Sequence, residues 1–152
     1  MIECIRTDSD NVDFIALVKE LDADLAIRDG DEHAFYSQFN KINAIKHVVV
    51  AYKNGLPVGC GAIKALAKDS LEVKRMYVVP AQRGQGVASV ILTKLEDWAL
   101  ELNYDRCILE TGIKQPEAIA LYKKCGYEII PNYGQYLNVE NSICFAKKLI
   151  QE

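Results

Sequence analysis

The chain has 152 residues, half of them hydrophobic and about a quarter charged, with a formal net charge of −3. That length fits one domain with a core that needs no disulfide or metal staples. The charge gives no sign of a nucleic-acid-coating protein, and no apolar run reaches membrane-spanning length.

Ile2 to Arg6 reads as a short strand. Asn11 offers an N-cap, and Phe14, Leu17, Val18, Leu21 and Leu25 follow at steps of three and four, an amphipathic helix. Asp8, Asp10 and Asp13 come too early for a secretory or mitochondrial leader, so a soluble cytoplasmic protein is the simplest expectation. Arg28-Asp29-Gly30-Asp31 breaks the helix. A second, weaker helix is expected from about Glu32 to Ile45, with Phe35, Phe39 and Ile42 on one side.

The period then changes. Val48 to Tyr52 is β-branched and short, hence a strand, and Asn54-Gly55 turns it into a return strand from Val58 to Ile63. A turn at Lys68-Asp69 leads to a strand from Leu71 to Val79, stopped by Pro80. A helix follows from about Val87 to Leu102, with Val87, Ile91, Leu95, Trp98 and Leu102 as its apolar stripe. Cys107 to Leu109 is a strand. Pro116 and Glu117 suit the first turn of another helix, whose Ala118, Leu121, Tyr122 and Cys125 share a face before Gly126 ends it. Tyr127 to Ile130 and Ser142 to Leu149 close the chain as strands. The order β-α-α-β-β-β-α-β-α-β-β predicts a mixed α/β sheet with helices on its faces, in a single domain spanning 1–152.

Cys4, Cys60, Cys107, Cys125 and Cys144 are scattered and lack any C-x-x-C pair; they read as small buried hydrophobes. His33 and His47 have no metal-ligand spacing, and no metal site is expected.

The segment Arg83-Gly84-Gln85-Gly86-Val87-Ala88-Ser89 lies between a strand and a helix. Unpaired N–H groups at a helix N-terminus favour an anion, the glycines let backbone approach phosphate oxygens, and Arg83 adds positive charge. A P-loop would need a Gly-Lys-Ser/Thr ending, which is missing. A Rossmann loop fits Gly84-x-Gly86 and an acid at Glu110, but Ser89 stands where its third glycine belongs. A tight turn that binds nothing is the remaining alternative.

Arg83-x-x-Gly86-x-Ala88 resembles the Gln/Arg-x-x-Gly-x-Gly/Ala signature of the GNAT superfamily of N-acetyltransferases. Met76-Tyr77-Val78-Val79-Pro80 is similar to that superfamily's fourth strand, and Leu121-Tyr122-Lys123-Lys124-Cys125-Gly126-Tyr127 to a helix end it shares. The resemblance implies a GNAT fold whose fourth and fifth strands splay apart, and acetyl-CoA as acetyl donor. Its pantetheine arm would lie along Met76, Tyr77 and Val78, and its pyrophosphate on backbone from Gly84 to Ser89. The Val78 N–H would polarise the thioester carbonyl. Transfer to a primary amine, on a small molecule or a peptide, would be direct. Tyr122 is implied as the acid that protonates the leaving sulfur. Glu72 is a candidate base, because period two places it in phase with Lys74, Met76 and Val78; Glu110 is a second candidate, and both also read as plain solvated glutamates. Gln115 stands where the superfamily often has Asn. The implied acceptor pocket would draw on Arg28, Asp29, Asp31, Glu32, His33, Phe35, Tyr36, Tyr133, Tyr136 and Asn138, an acidic and aromatic set suited to a small cationic amine. A module that binds acetyl-CoA without turnover is the alternative, and a homodimer is compatible with the fold.

Overall fold

A computed structural model describes residues 1–29 and 45–149. Seven strands form one mixed sheet in the order β1-β2-β3-β4-β5-β7-β6. They are β1 (Ile2–Thr7), β2 (His47–Lys53), β3 (Leu56–Ala65), β4 (Ser70–Val78), β5 (Arg106–Gly112), β6 (Glu128–Ile130) and β7 (Ser142–Lys148). Every pairing is antiparallel except β4 with β5. Among the described residues three α-helices accompany them: α1 (Val12–Asp29), α2 (Val87–Glu101) and α3 (Pro116–Lys124). The strands and these helices follow the expected chain order, with ends shifted by a few residues at most. The expected helix from Glu32 lies outside the described residues. Its last position, Ile45, is not helical: it is buried, and its backbone is tied to Ser9 by two hydrogen bonds, of 2.9 and 3.0 Å.

Local chemistry accounts for the turns. The Asn11 Oδ1 accepts the Phe14 N–H at 2.9 Å, the cap that starts α1. Asn54 and Gly55 have φ of 52° and 78°, the left-handed pair that a two-residue hairpin needs, and they join β2 to β3.

The core lies on both faces of the sheet. On one face Phe14, Leu17, Val18 and Leu21 of α1 pack on Val48, Val50, Cys60, Ala62 and Tyr77. On the other, Val87, Ile91, Leu92, Leu95 and Ala99 of α2 and Tyr122 of α3 pack on Val49, Ala51, Leu71, Val73, Val78, Leu109 and Phe145. Each fully buried aliphatic side chain contributes about 1.5–3 kcal/mol as an upper figure. Gly59 and Gly61 let α2 come close. A Cβ at Gly59 would stand 2.9 Å from both Ile91 Cδ1 and the Tyr77 carbonyl, and one at Gly61 would stand 2.5 Å from the Met76 sulfur. The cysteines are all free thiols; Cys60, Cys107 and Cys144 are buried, and Cys4 and Cys125 half-buried.

The middle of the sheet is irregular in two ways. The β3–β4 register shifts between Cys60 and Ala62, and Arg75 opposite has φ of 61°. This β-bulge breaks the period-two alternation of β4. Further along, β4 and β5 pair only at Ser70–Arg106, Leu71–Cys107 and Glu72–Ile108, although both strands run on. They splay apart beyond Glu72, as the resemblance implied.

Candidate active site

The splay opens a cleft of about 410 Å³ lined by Met76, Tyr77 and Val78 of β4, by Arg83, Gly84 and Gly86 to Ser89, by Gln115 just before α3, and by Ala118, Leu121 and Tyr122 of α3. The Val79 N–H donates to the Val58 carbonyl at 2.9 Å, towards β3. By strand alternation Val78 turns its own N–H and carbonyl towards the cleft. The Val78 carbonyl accepts the Arg83 Nε–H at 2.9 Å, and the Arg83 guanidinium lies 5.5 Å from the centre of the Tyr77 ring. Arg83 is therefore anchored to β4 while its remaining nitrogens stay at the cleft edge.

Gly84 and Gly86 have φ of 77° and 82°, and nothing lies within 4 Å of where a Cβ would be. Gly86 caps α2 with no side-chain hydrogen bond, and the first helical bond runs from the Val90 N–H to the Gly86 carbonyl at 3.1 Å. The first-turn N–H groups of Val87, Ala88 and Ser89 thus face the cleft without helical partners, a fit for phosphate oxygens. The Lys53 Nζ donates to Gln85 at 3.0 Å and Gln82 at 3.4 Å, bringing a cation from the β2–β3 hairpin to this loop. Sequence reasoning missed Lys53, because nothing local ties a hairpin lysine to a loop some thirty residues on.

A smaller cavity of about 110 Å³ adjoins the cleft. Met76, Gln115, Ala118, Tyr122 and Leu21 line both, so Tyr122 stands at the junction. Tyr122 is buried against Tyr127 and Phe145, with ring centres 5.8 and 5.9 Å away. Burial pushes its pKa up, with the Cys125 and Glu110 charges adding to the shift. The smaller cavity also takes in Glu72, Lys74, Arg75, Glu110 and Tyr136. The Tyr133 hydroxyl donates to Glu72 Oε2 at 2.6 Å, and Lys74 Nζ lies 3.6 Å from Glu72 Oε1. Burial and the Glu72 charge both raise the Tyr133 pKa, which keeps it a donor.

The phase expected for Glu72 is corrected here. Glu72 and Lys74 are in phase with each other, but the bulge at Arg75 turns Met76 and Val78 to the α2 face, with Leu71 and Val73. Glu72 instead projects to the α1 side with Arg75, which contacts Asp22 of α1. The signal was in the sequence. Apolar Leu71 and Val73 hold the odd positions, Arg75 interrupts them, and Met76 and Val78 resume on even ones.

The expected acceptor set is partly relocated. Tyr133 and Tyr136 meet at Glu72 and the smaller cavity, with ring centres 5.8 Å apart. Asn138 is an exposed turn residue with φ of 62°. Arg28 is engaged elsewhere, pairing with Asp24 at 3.2 Å and with Glu117. That second pair joins α1 to α3 across the split in the sheet. The side chains of Asp29, Asp31, Glu32, His33, Phe35 and Tyr36 lie outside the described residues. Among the described residues no group of three or more metal-type ligands forms, and no helix is long and apolar enough to cross a membrane.

Comparison with known proteins places this geometry. Residues 14–127 match the model of the Acetyltransferase (GNAT) family. An IAA acetyltransferase of Azospirillum brasilense is 39% identical over 89 residues, which are 58% of each chain. The chain thus spans under two thirds of that relative's length. A Klebsiella pneumoniae structure assigned to the acyl-CoA N-acyltransferases superposes with a TM-score of 0.82 at 30% identity, over 99% of both chains. The fold is also that of the PaiA N-acetyltransferase from Thermoplasma acidophilum solved with coenzyme A, at a TM-score of 0.72 and 15% identity over 97% of this chain and 99% of that one. With the signature loop at the mouth of a splayed β4–β5 cleft, and with a family match over three quarters of its length, the chain belongs to the GNAT family of acetyltransferases.

Proposed function

We propose that this protein transfers an acetyl group from acetyl-CoA to a primary amine by direct attack in a ternary complex. The observation that carries the reading is the junction: Tyr122 lines both the cleft fitted to the coenzyme and the cavity holding Glu72. Donor and acceptor would meet there. Acetyl-CoA supplies the acetyl group as a thioester and leaves as the thiol.

The chain's own residues divide the work. Backbone from Gly84 to Ser89, with Arg83, Gln85 and Lys53 nearby, holds the pyrophosphate. Met76, Tyr77 and Val78 line the pantetheine arm, and Gln115 closes the cleft from the start of α3. The Val78 N–H hydrogen-bonds the carbonyl oxygen as it gains negative charge. Glu72 takes a proton from the incoming ammonium, directly or through water, and Tyr133 fixes its orientation. Tyr122 faces the sulfur. A phenol's ordinary pKa of about 10 lies above a thiol's of about 8.5, and burial raises Tyr122 further. Tyr122 therefore stays protonated, and it gives its proton to sulfur only as it receives the one that the acylated nitrogen sheds.

Binding of acetyl-CoA without turnover is the second reading. The observation on its side is that Glu72 is already engaged by Tyr133 and Lys74. Calorimetry with acetyl-CoA tests both readings, and absence of binding sinks both. Release of free thiol with an amine library separates them: acceptor-dependent release selects the enzyme, and silence across amino acids, polyamines, aminoglycosides and peptides selects the sensor.

A further inference from the structure

Resting on the acetyltransferase reading, we propose that the acceptor is a small amine that also carries a carboxylate, an amino acid or a close analogue, and that Arg75 receives that carboxylate. Arg75 lines the smaller cavity, and its side chain is 2% exposed. A buried guanidinium normally has its donors satisfied. Here its Nε and Nη2 have no hydrogen-bond partner among the described residues. Its guanidinium makes a long contact from Nη1 to Asp22 Oδ1 at 3.5 Å, to a carboxylate whose side chain is 47% exposed. Two adjacent donors of a planar fork thus lack an anion from the protein; both nitrogens are closed to solvent, so an incoming carboxylate meets them only as the Arg75 side chain turns towards the cavity it lines. A carboxylate accepts such a fork through two parallel hydrogen bonds, as a phosphate does, and it is the smaller of the two groups.

The backbone supports the same assignment. A large non-glycine side chain at φ of 61° is an unusual conformation. Its effect is to bring Arg75 onto the face that already carries Glu72 and Lys74. Without the bulge, Arg75 would continue the apolar row of Leu71 and Val73 under α2. The cavity then holds two carboxylates, Glu72 and Glu110, and two cations, Lys74 and Arg75. A balanced wall of this kind fits a zwitterion. A polyamine would bring its second ammonium towards Arg75 and Lys74. The volume, about 110 Å³, also favours a compact acceptor.

The test uses the full chain and matched sets of α-, β- and γ-amino acids, each with its carboxamide and its decarboxylated amine. Free-thiol release gives kcat/KM for each. A second arm needs no turnover: the melting temperature of coenzyme A-loaded protein is measured with N-acetylated amino acids and with their carboxamides. The expected result is a preference for the carboxylate of tenfold or more, carried in KM, and stabilisation by the acetylated acids alone. A charge-assisted bidentate pair is worth about ten- to a hundredfold. Arg75→Met should reduce the preference to within about twofold and leave the melting temperature unchanged or higher, because a poorly paired buried charge is removed.

The proposal is overturned if carboxamides or polyamines react as well as the acids, or if neither arm distinguishes acid from amide. It is also overturned if Arg75→Met melts lower while keeping the preference, which would make Arg75 structural. Turnover of carboxylate-free amines alone overturns this inference and leaves the acetyltransferase standing. Stabilisation by acetylated acids with no thiol release from any amine supports the pocket and sinks the enzyme.

Discussion

At Tyr122 the residue identity and the fold make separable demands. The ring fills the core against Tyr127 and Phe145, while the hydroxyl belongs to the junction of the two cavities. Tyr122→Phe keeps the ring and removes only the oxygen. We expect kcat to fall by about ten- to a hundredfold, with acetyl-CoA affinity nearly unchanged, as steady-state kinetics and calorimetry will show. Unchanged kcat would remove the hydroxyl from the chemistry. Gly86 allows a cleaner test of charge. Its φ of 82° strains any side chain, but Asn and Asp tolerate this region best and are nearly isosteric. Gly86→Asp should bind acetyl-CoA at least about tenfold more weakly than Gly86→Asn, since only the former sets a carboxylate against the phosphates. Equal affinities would mean that the pyrophosphate lies elsewhere. Much of this site was legible in the sequence, because the loop, Tyr122 and Gln115 all sit in contiguous motifs. Arg75 was overlooked although it breaks the apolar alternation of β4, and the hydrogen bond from Tyr133 to Glu72 was not legible, since it joins residues 61 apart in the chain.

The elements were read correctly wherever a period or a punctuating residue fixed them. Asn11 caps α1, Asn54-Gly55 makes the hairpin, and Gly126, at φ of 92°, ends α3. What single periods do not report is how closely elements approach one another. Gly59 and Gly61 lie two apart on one face of β3, the spacing that lets a helix approach a sheet, yet β3 reads as an ordinary strand. The two glycines differ in what surrounds them. At Gly61 the nearest obstacle is the end of the Met76 side chain, which can turn away. At Gly59 it includes the fixed Tyr77 carbonyl of β4. Gly59→Ala should therefore destabilise by about 1–3 kcal/mol and lower the melting temperature more than Gly61→Ala does. The reverse order in thermal melts would place the tight contact on the wrong glycine. Gly59→Ala should also weaken acetyl-CoA binding, because Tyr77 and the α2 residue Val87 both line the cleft.

Across the whole molecule, three buried thiols tie stability to pH. Burial raises Cys60 and Cys107 to about 12 and Cys144 to about 11, from an ordinary 9.0. Raised pKa values mean that the unfolded chain gives up these protons first. Stability is then complete below pH 9.0 and declines as pH rises towards 11 and 12. Urea midpoints measured between pH 8 and 11 should fall steadily above about pH 9, and Cys60→Ala should flatten the slope; a flat wild-type profile would contradict the burial of the thiols. The sheet itself carries a different consequence. Sheets ordinarily confine their unpaired backbone to their two outer strands. Here the β4–β5 ladder stops after Glu72, leaving a row of hydrogen-bonding backbone in the centre of the molecule. An extended guest that fills that gap acts as a missing strand. Donor supply would thereby govern how long the protein survives in the cell, as well as how fast it works.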